Sequence, residues 1–265
     1  MYEFNYHRPK SLRDAKKILA AHDDAKLVAG GMTLLPAMKF RLARPSDLVD
    51  LAGIAELRGI REQRGRLEIG AMTRHAEIAA SDLVRLRIPA LAELAASIGD
   101  PQVRNRGTLG GSVANSDPAA DYPAAVLALD ATIRTDQREI PAQDYFTGMF
   151  ETALHAGEIV TAVIFGVPKR AAYAKFPNPA SRYAVVGVMV AELEDGVRVA
   201  VTGAAASAFR VAELEQALGR DFSPAALDGL VPDSSDLNSD LHATAAYRAH
   251  LVLVMTKRAI EAARG

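Results

Sequence analysis

The stretch GDPQVRNRGTLGGSVANSDPAAD, residues 99–121, decides how the rest of the chain reads. It is dense in Gly, Asn, Asp, Pro and Ser, yet it lies between two apolar segments. A loop of this length inside a compact domain is usually functional or disordered. The small residues, with Leu109 and Val113 interspersed, favour an ordered site built from backbone. Before it, Pro89 opens an expected helix over 90–98. After it, a helix over 122–129 and a strand over 131–135 are expected.

Moving outward, the first fifty residues alternate between helix and strand signals. Ser11 is an expected N-cap with Asp14 three residues on, and Leu12, Ala15, Ile18 and Leu19 share one helical face. Leu27, Val28 and Ala29 form a short strand that Gly30-Gly31 breaks. A second helix follows over 33–38, with Pro36 in its first turn, then a strand at Leu48, Val49 and Leu51. This is a small α/β unit. Ile60, Leu67 and Ile69 flank a turn at Arg64-Gly65, and Thr73 is expected to cap a short helix reaching Ala80. Past 121, the segment 158–167 reads as a strand and 168–172 as a domain joint. Strands 185–192 and 197–202 flank a hairpin turn at Asp195-Gly196. Helices are expected over 211–218 and 247–263, the last with a face of Leu251, Val254, Met255, Arg258, Ala259 and Ala262.

Composition excludes whole classes of chemistry. The 265 residues make one large or two modest domains. Lys plus Arg is 31 and Asp plus Glu is 32, a balance unsuited to binding nucleic-acid phosphates. With no cysteine there is no disulfide, thiolate zinc site, iron–sulfur ligation or cysteine nucleophile. The N-terminus lacks the apolar run of a secretory signal, and the apolar stretch 184–191 is too short to span a bilayer. A cytoplasmic protein without a membrane span is the expectation.

Two Gly-Gly turns, Gly30-Gly31 and Gly110-Gly111, are the candidate ligand site. Glycine lets backbone N–H groups approach a ligand closely, so the pair could cradle a pyrophosphate, or each could simply make a tight turn. Asp50, twenty residues after Gly30, imitates a Rossmann fingerprint, but G-x-G-x-x-G is absent. Gly110 to Ala114 loosely imitates a nucleophile elbow, without a clear preceding strand or a histidine partner. The six histidines, His7, His22, His75, His155, His242 and His250, show no ligand spacing, so surface or packing roles and no metal site are expected. Asp117 and Asp121 suit loop capping, or accepting from a ligand hydroxyl, better than a metal cage.

Taken in order, segments 25–51, 67–78, 99–131, 175–191 and 239–260 carry a more specific signal. Together they resemble the FAD-binding medium subunits of the molybdenum hydroxylases, the family of xanthine dehydrogenase and aerobic carbon monoxide dehydrogenase. The resemblance covers nearly the whole chain and is nearest the carbon-monoxide type. It implies an α+β chain with a vanillyl-alcohol-oxidase (PCMH)-type FAD-binding fold over 1–167, split into a small α/β subdomain 1–55 and a larger one 56–167. A C-terminal α+β domain of the carbon monoxide dehydrogenase flavoprotein type takes 168–265.

The resemblance also implies FAD as cofactor. Leu27, Val28, Ala29, Gly30, Gly31, Met32, Thr33 and Leu34, with Thr108, Leu109, Gly110, Gly111 and Ser112, would grip its pyrophosphate through backbone amides. Asp121 would accept from a sugar or ribityl hydroxyl, Ile98 and Val160 would make apolar contacts, and Lys175 and Tyr183 would lie near the ring. By residue type alone, Lys175 could equally be a solvated surface lysine and Tyr183 a core or rim aromatic. Met32 stands where the family commonly has Gln or His, and Ser112 where it has Asn. No catalytic acid or base is implied. Electrons would come from iron–sulfur clusters on a small subunit, fed by a molybdopterin-binding large subunit, in a dimer of heterotrimers. A stand-alone flavin oxidase and a flavin-free scaffold are the alternatives. Gly110→Val and Gly111→Val are expected to abolish FAD retention with the fold intact.

Overall fold

The computed structural model describes residues 1–264. Its N-terminal unit contains β1 (Asn5–His7), α1 (Leu12–Ala21), β2 (Lys26–Val28), α2 (Leu34–Lys39) and β3 (Asp47–Asp50). The three strands form a parallel sheet in the order β1-β3-β2. Ser11 caps α1 as its sequence position predicts, its Oγ accepting from the Asp14 amide at 3.1 Å. Ala15, Val49 and Leu51 then pack with Met72 and Ile159, which ties this unit to the next.

The middle of the chain opens with the hairpin β4 (Ile60–Gln63) and β5 (Arg66–Gly70). Arg64 and Gly65 both have positive φ, +53° and +72°, as a tight two-residue hairpin turn requires. Six helices follow: α3 (His75–Ala80), α4 (Asp82–Arg87), α5 (Pro89–Ser97), α6 (Pro101–Arg104), α7 (Leu109–Asn115) and α8 (Tyr122–Ala128). Then come β6 (Thr132–Thr135), β7 (Glu139–Pro141), the small hairpin β8 (Phe146–Gly148) and β9 (Glu151–Thr152), and β10 (Val160–Gly166). β10 inserts between β5 and β6, giving the antiparallel order β4-β5-β10-β6-β7.

The C-terminal part has β11 (Arg170–Pro177), β12 (Ala184–Leu193), β13 (Gly196–Thr202), β14 (Phe209–Arg210), α9 (Ala212–Arg220) and α10 (Ala245–Arg264). Its four strands pair in sequence order. α5 and α8 pack on one face of this sheet, and α9 and α10 on the other. The strand alternation explains why β12 reads as an unbroken apolar run. Met189 and Ala191 point into the middle core, while Val186, Val188 and Val190 point into a core shared with Leu214, Leu251 and Met255. No described helix is long and apolar enough to cross a membrane.

Several expectations change. The stretch 99–121 is not one extended loop: α6 and α7 occupy about half of it, capped by the Asp100 carboxylate and the Thr108 hydroxyl. Thr73 does not cap α3. Its hydroxyl bonds both N–H and C=O of Gly59 at 3.2 Å, and the Glu77 carboxylate accepts from the Arg74 amide instead. The joint expected over 168–172 is already strand from Arg170. The β12–β13 turn is Glu194-Asp195, because Gly196 pairs with Leu193. On α10, Leu251, Met255 and Ala259 are buried as expected and Val252, Thr256 and Ile260 join them, while Arg258 and Ala262 face solvent.

Candidate functional site

One cleft of about 720 Å³ runs between the N-terminal unit and the helical layer. That volume suits a ligand of cofactor size. Leu27, Val28, Ala29, Gly30, Gly31, Met32, Thr33 and Leu34 line it, with Thr108, Gly110, Gly111 and Ser112. Ile98, Asp121, Val160 and Tyr183 complete the expected residues that reach it. Two do not. Leu109 is fully buried in the middle core, because it is the first residue of α7 and faces inward. Lys175 sits beside the cleft wall, not on it.

The two Gly-Gly turns touch. A Cβ on Gly30 would stand 2.2 Å from the Arg106 carbonyl oxygen, and one on Gly111 would stand 3.2 Å from the Ala29 Cβ. Glycine at Gly30 is therefore a condition of close approach. The turns do not contribute amides equally. In the second, Leu109 N–H donates to Thr73, Gly110 N–H to Ala71, Ser112 N–H to the Thr108 carbonyl, and Gly111 N–H to the Thr108 hydroxyl. Those four amides are spent, which corrects the expectation that this turn grips a ligand through them. In the first turn, no group among the described residues accepts from the amides of Gly30, Gly31, Met32, Thr33 or Leu34. Gly30 and Gly31 are buried, and Gly31 has φ +75°. Unpaired amides at a buried position need a partner.

Asp121 is 5% exposed and precedes α8. Its Oδ1 accepts from the Tyr173 hydroxyl at 2.6 Å and pairs with Lys175 Nζ at 2.9 Å. Burial pushes this carboxyl up, and the Lys175 ammonium and Tyr173 hydroxyl oppose the shift. Lys175 Nζ also donates to the Ser97 carbonyl at 3.2 Å. Its side chain is only 9% exposed, so it is not a solvated surface lysine.

Tyr183, 44% exposed, stands at the cleft rim at the end of a turn closed by Asn178. Arg182 of that turn has φ +63° and donates to the Gly99 carbonyl, fastening the rim to the segment before α6. Asp50, the Rossmann mimic, is spent on the Ala52 amide and the Tyr6 hydroxyl.

Sequence reasoning missed several lining residues. Asn115 lies inside the quoted stretch, and its polarity there was the available signal; Asp117, read as a loop cap or hydroxyl acceptor, lines the cleft and accepts from the Ala119 amide at 2.9 Å. His75 had no local signal. It lines the cleft from α3, buried against the Tyr122 ring with centroids 5.3 Å apart, and its Nδ1 has no partner. Burial brings its pKa down to about 4, so the ring is neutral near pH 7.

The FAD binding domain in molybdopterin dehydrogenase matches residues 2–169, and the CO dehydrogenase flavoprotein C-terminal domain matches 171–263. The chain belongs to the FAD-binding medium subunits of the molybdenum hydroxylases. Its cofactor is FAD. The carbon monoxide dehydrogenase medium chain of Hydrogenophaga pseudoflava is 36% identical over 98% of this chain and 96% of its own. The glyceraldehyde dehydrogenase medium chain of Sulfolobus acidocaldarius is 34% identical over 98% of each. The reconstituted CO dehydrogenase from Oligotropha carboxidovorans superposes with a TM-score of 0.89 at 34% identity, covering 99% of this medium subunit and 98% of that chain. The α+β fold is therefore that of carbon monoxide dehydrogenase flavoproteins, and the activity class is oxidoreductase.

Proposed function

We propose that this medium subunit holds FAD in the cleft and passes electrons from a partner's iron–sulfur clusters to an external acceptor. The observation that carries the reading is the run of unpartnered amides from Gly30 to Leu34 on one wall of a cofactor-sized cleft. Successive backbone N–H groups around a positive-φ glycine form a concavity that suits a pyrophosphate. The side chains of Met32 and Ser112 then matter less than the backbone beneath them, so the departures at both positions are compatible with FAD binding.

Asp121 lines the same cleft and can accept from a sugar or ribityl hydroxyl. Lys175 and Tyr173 hold that carboxylate in place, so Lys175 acts through Asp121. Ile98 and Val160 supply apolar wall, and Tyr183 covers the rim. Bound FAD exchanges electrons singly or in pairs, which links one-electron clusters to two-electron acceptors. The chain has no cysteine to hold a cluster itself. Those clusters would sit on a small subunit, and substrate oxidation on a molybdopterin-binding large subunit, the three chains pairing as a dimer of heterotrimers. The medium chains it resembles belong to enzymes named for carbon monoxide and for glyceraldehyde, so substrate choice lies outside this chain.

The test uses the full chain with and without its co-expressed partners. Titration with FAD is expected to give one protein-bound flavin per chain, bleached by the complex's substrate only when both partners are present. Absence of flavin uptake overturns the site. Uptake without partner-dependent bleaching overturns the electron route.

A further inference from the structure

Two histidines that are fifteen residues apart in sequence meet at one buried carboxylate, away from the flavin cleft. His7 ends β1, His22 follows the last turn of α1, and Asp47 begins β3. His7 Nε2 lies 2.6 Å from Asp47 Oδ1, and His22 Nδ1 lies 3.4 Å from Asp47 Oδ2. The three donor atoms all lie within 4.8 Å of one another. The Asp47 side chain is 2% exposed, whereas those of His7 and His22 are 31% and 41% exposed. The carboxylate is thus anchored, and the imidazoles open the cluster to water.

We propose that His7, His22 and Asp47 bind one divalent ion of the zinc class. Two imidazole nitrogens and one carboxylate oxygen form a donor set that Zn²⁺, Co²⁺ and Ni²⁺ accept, with water filling the remaining position. Ligand atoms on a tetrahedral zinc stand roughly 3.3 Å apart, given bonds of about 2.0–2.1 Å. The 3.4 Å contact already matches that spacing. The 2.6 Å contact is a hydrogen bond; the ion would take its place, with the His7 imidazole proton carried on Nδ1. The ion clamps β1, the end of α1 and β3 together. None of the three residues lines the cleft, although Leu19 and Ala25 on either side of His22, and Leu51 just past the other end of β3, do.

The metal-stripped full chain is titrated with Co²⁺ by absorbance and with Zn²⁺ by calorimetry, beside His22→Ala and His7→Ala. One saturable site per chain with ligand-field bands is expected. Each variant should weaken it at least about tenfold, and flavin uptake should stay unchanged. Zn²⁺ should raise the melting temperature of the parent chain and not of the variants. His22→Ala removes the longer, more exposed contact, so it reports even if His7→Ala fails to fold. No saturable binding overturns the proposal. So does binding equally strong in His22→Ala, which would place the ion on other histidines.

Discussion

Gly110 and Ser112 are two positions apart and answer to different physical demands. A Cβ on Gly110 would lie 2.4 Å from the Ala71 Cβ and 2.8 Å from the Ala71 Cα and carbonyl oxygen. Its amide is already bonded to that carbonyl. Gly110→Val therefore drives a strand end and a helix start apart, and overpacking of this kind costs about 1–3 kcal/mol or more. The expected outcome is a destabilised chain, not the folded, flavin-free chain that the sequence implied. Ser112 lines the cleft and is only half-buried. Ser112→Asp adds an anion where a pyrophosphate is proposed, while leaving the Thr108 cap in place. Flavin retention should fall at least about tenfold, equivalent to roughly 1.4 kcal/mol, with an unchanged melting temperature. The ratio of flavin to protein absorbance checks it, and full retention would move the pyrophosphate elsewhere.

At the scale of the element, α7 depends on its cap. Thr108 Oγ1 accepts from Gly111 N–H at 3.1 Å, and Ser116 ends the helix with φ +47° after only seven residues. So short a helix has little internal cooperativity, and its ends carry much of its definition. Thr108→Ala should cost about 1 kcal/mol in urea unfolding, and Thr108→Ser should restore most of it. The capping signals, Asp100-Pro101 and Thr108, were both readable in the stretch 99–121. The density of Gly, Asn and Pro around them pointed toward loop, because helices of four and seven residues held by their caps, and in α7 by the burial of Leu109 and Val113, need little intrinsic propensity. The β12 run was legible as a buried strand for the opposite reason. It is apolar on both faces, and only the assembled layers reveal that the faces belong to different cores.

For the whole molecule, acid is the sensitive direction. His75 is held neutral by burial, with a pKa of about 4 against 6.5 when free. Between those values the unfolded chain binds more protons, so stability falls as pH drops from 6.5 toward 4, by up to about 3 kcal/mol. Glu158 adds to this lower down. Arg138 holds its carboxyl at about 2, below the usual 4.5, so its contribution is lost as pH falls from 4.5 toward 2. Melting temperatures should drop across both windows. His75→Asn should flatten the upper one and leave the lower one intact. An unchanged slope between pH 6.5 and 4 in that variant would mean that the ring is not the group being protonated.

The order of segments along the chain was enough to determine the family, the cofactor and the absence of cysteine ligation, because each is written in residue type and spacing. The first Gly-Gly pair was legible as a turn, and only the resemblance over the whole chain gave it a ligand, since a glycine pair alone can simply make a tight turn. Which amides are free was not. The second turn carries the same Gly-Gly pair, yet Thr73, Ala71 and Thr108 absorb its donors. The same limit hid His75, the Asp121–Lys175 pair and the meeting of His7, His22 and Asp47. Hydrogen-bond partners and ligand clusters come from residues distant in sequence, so burial and pairing are settled only when the layers close.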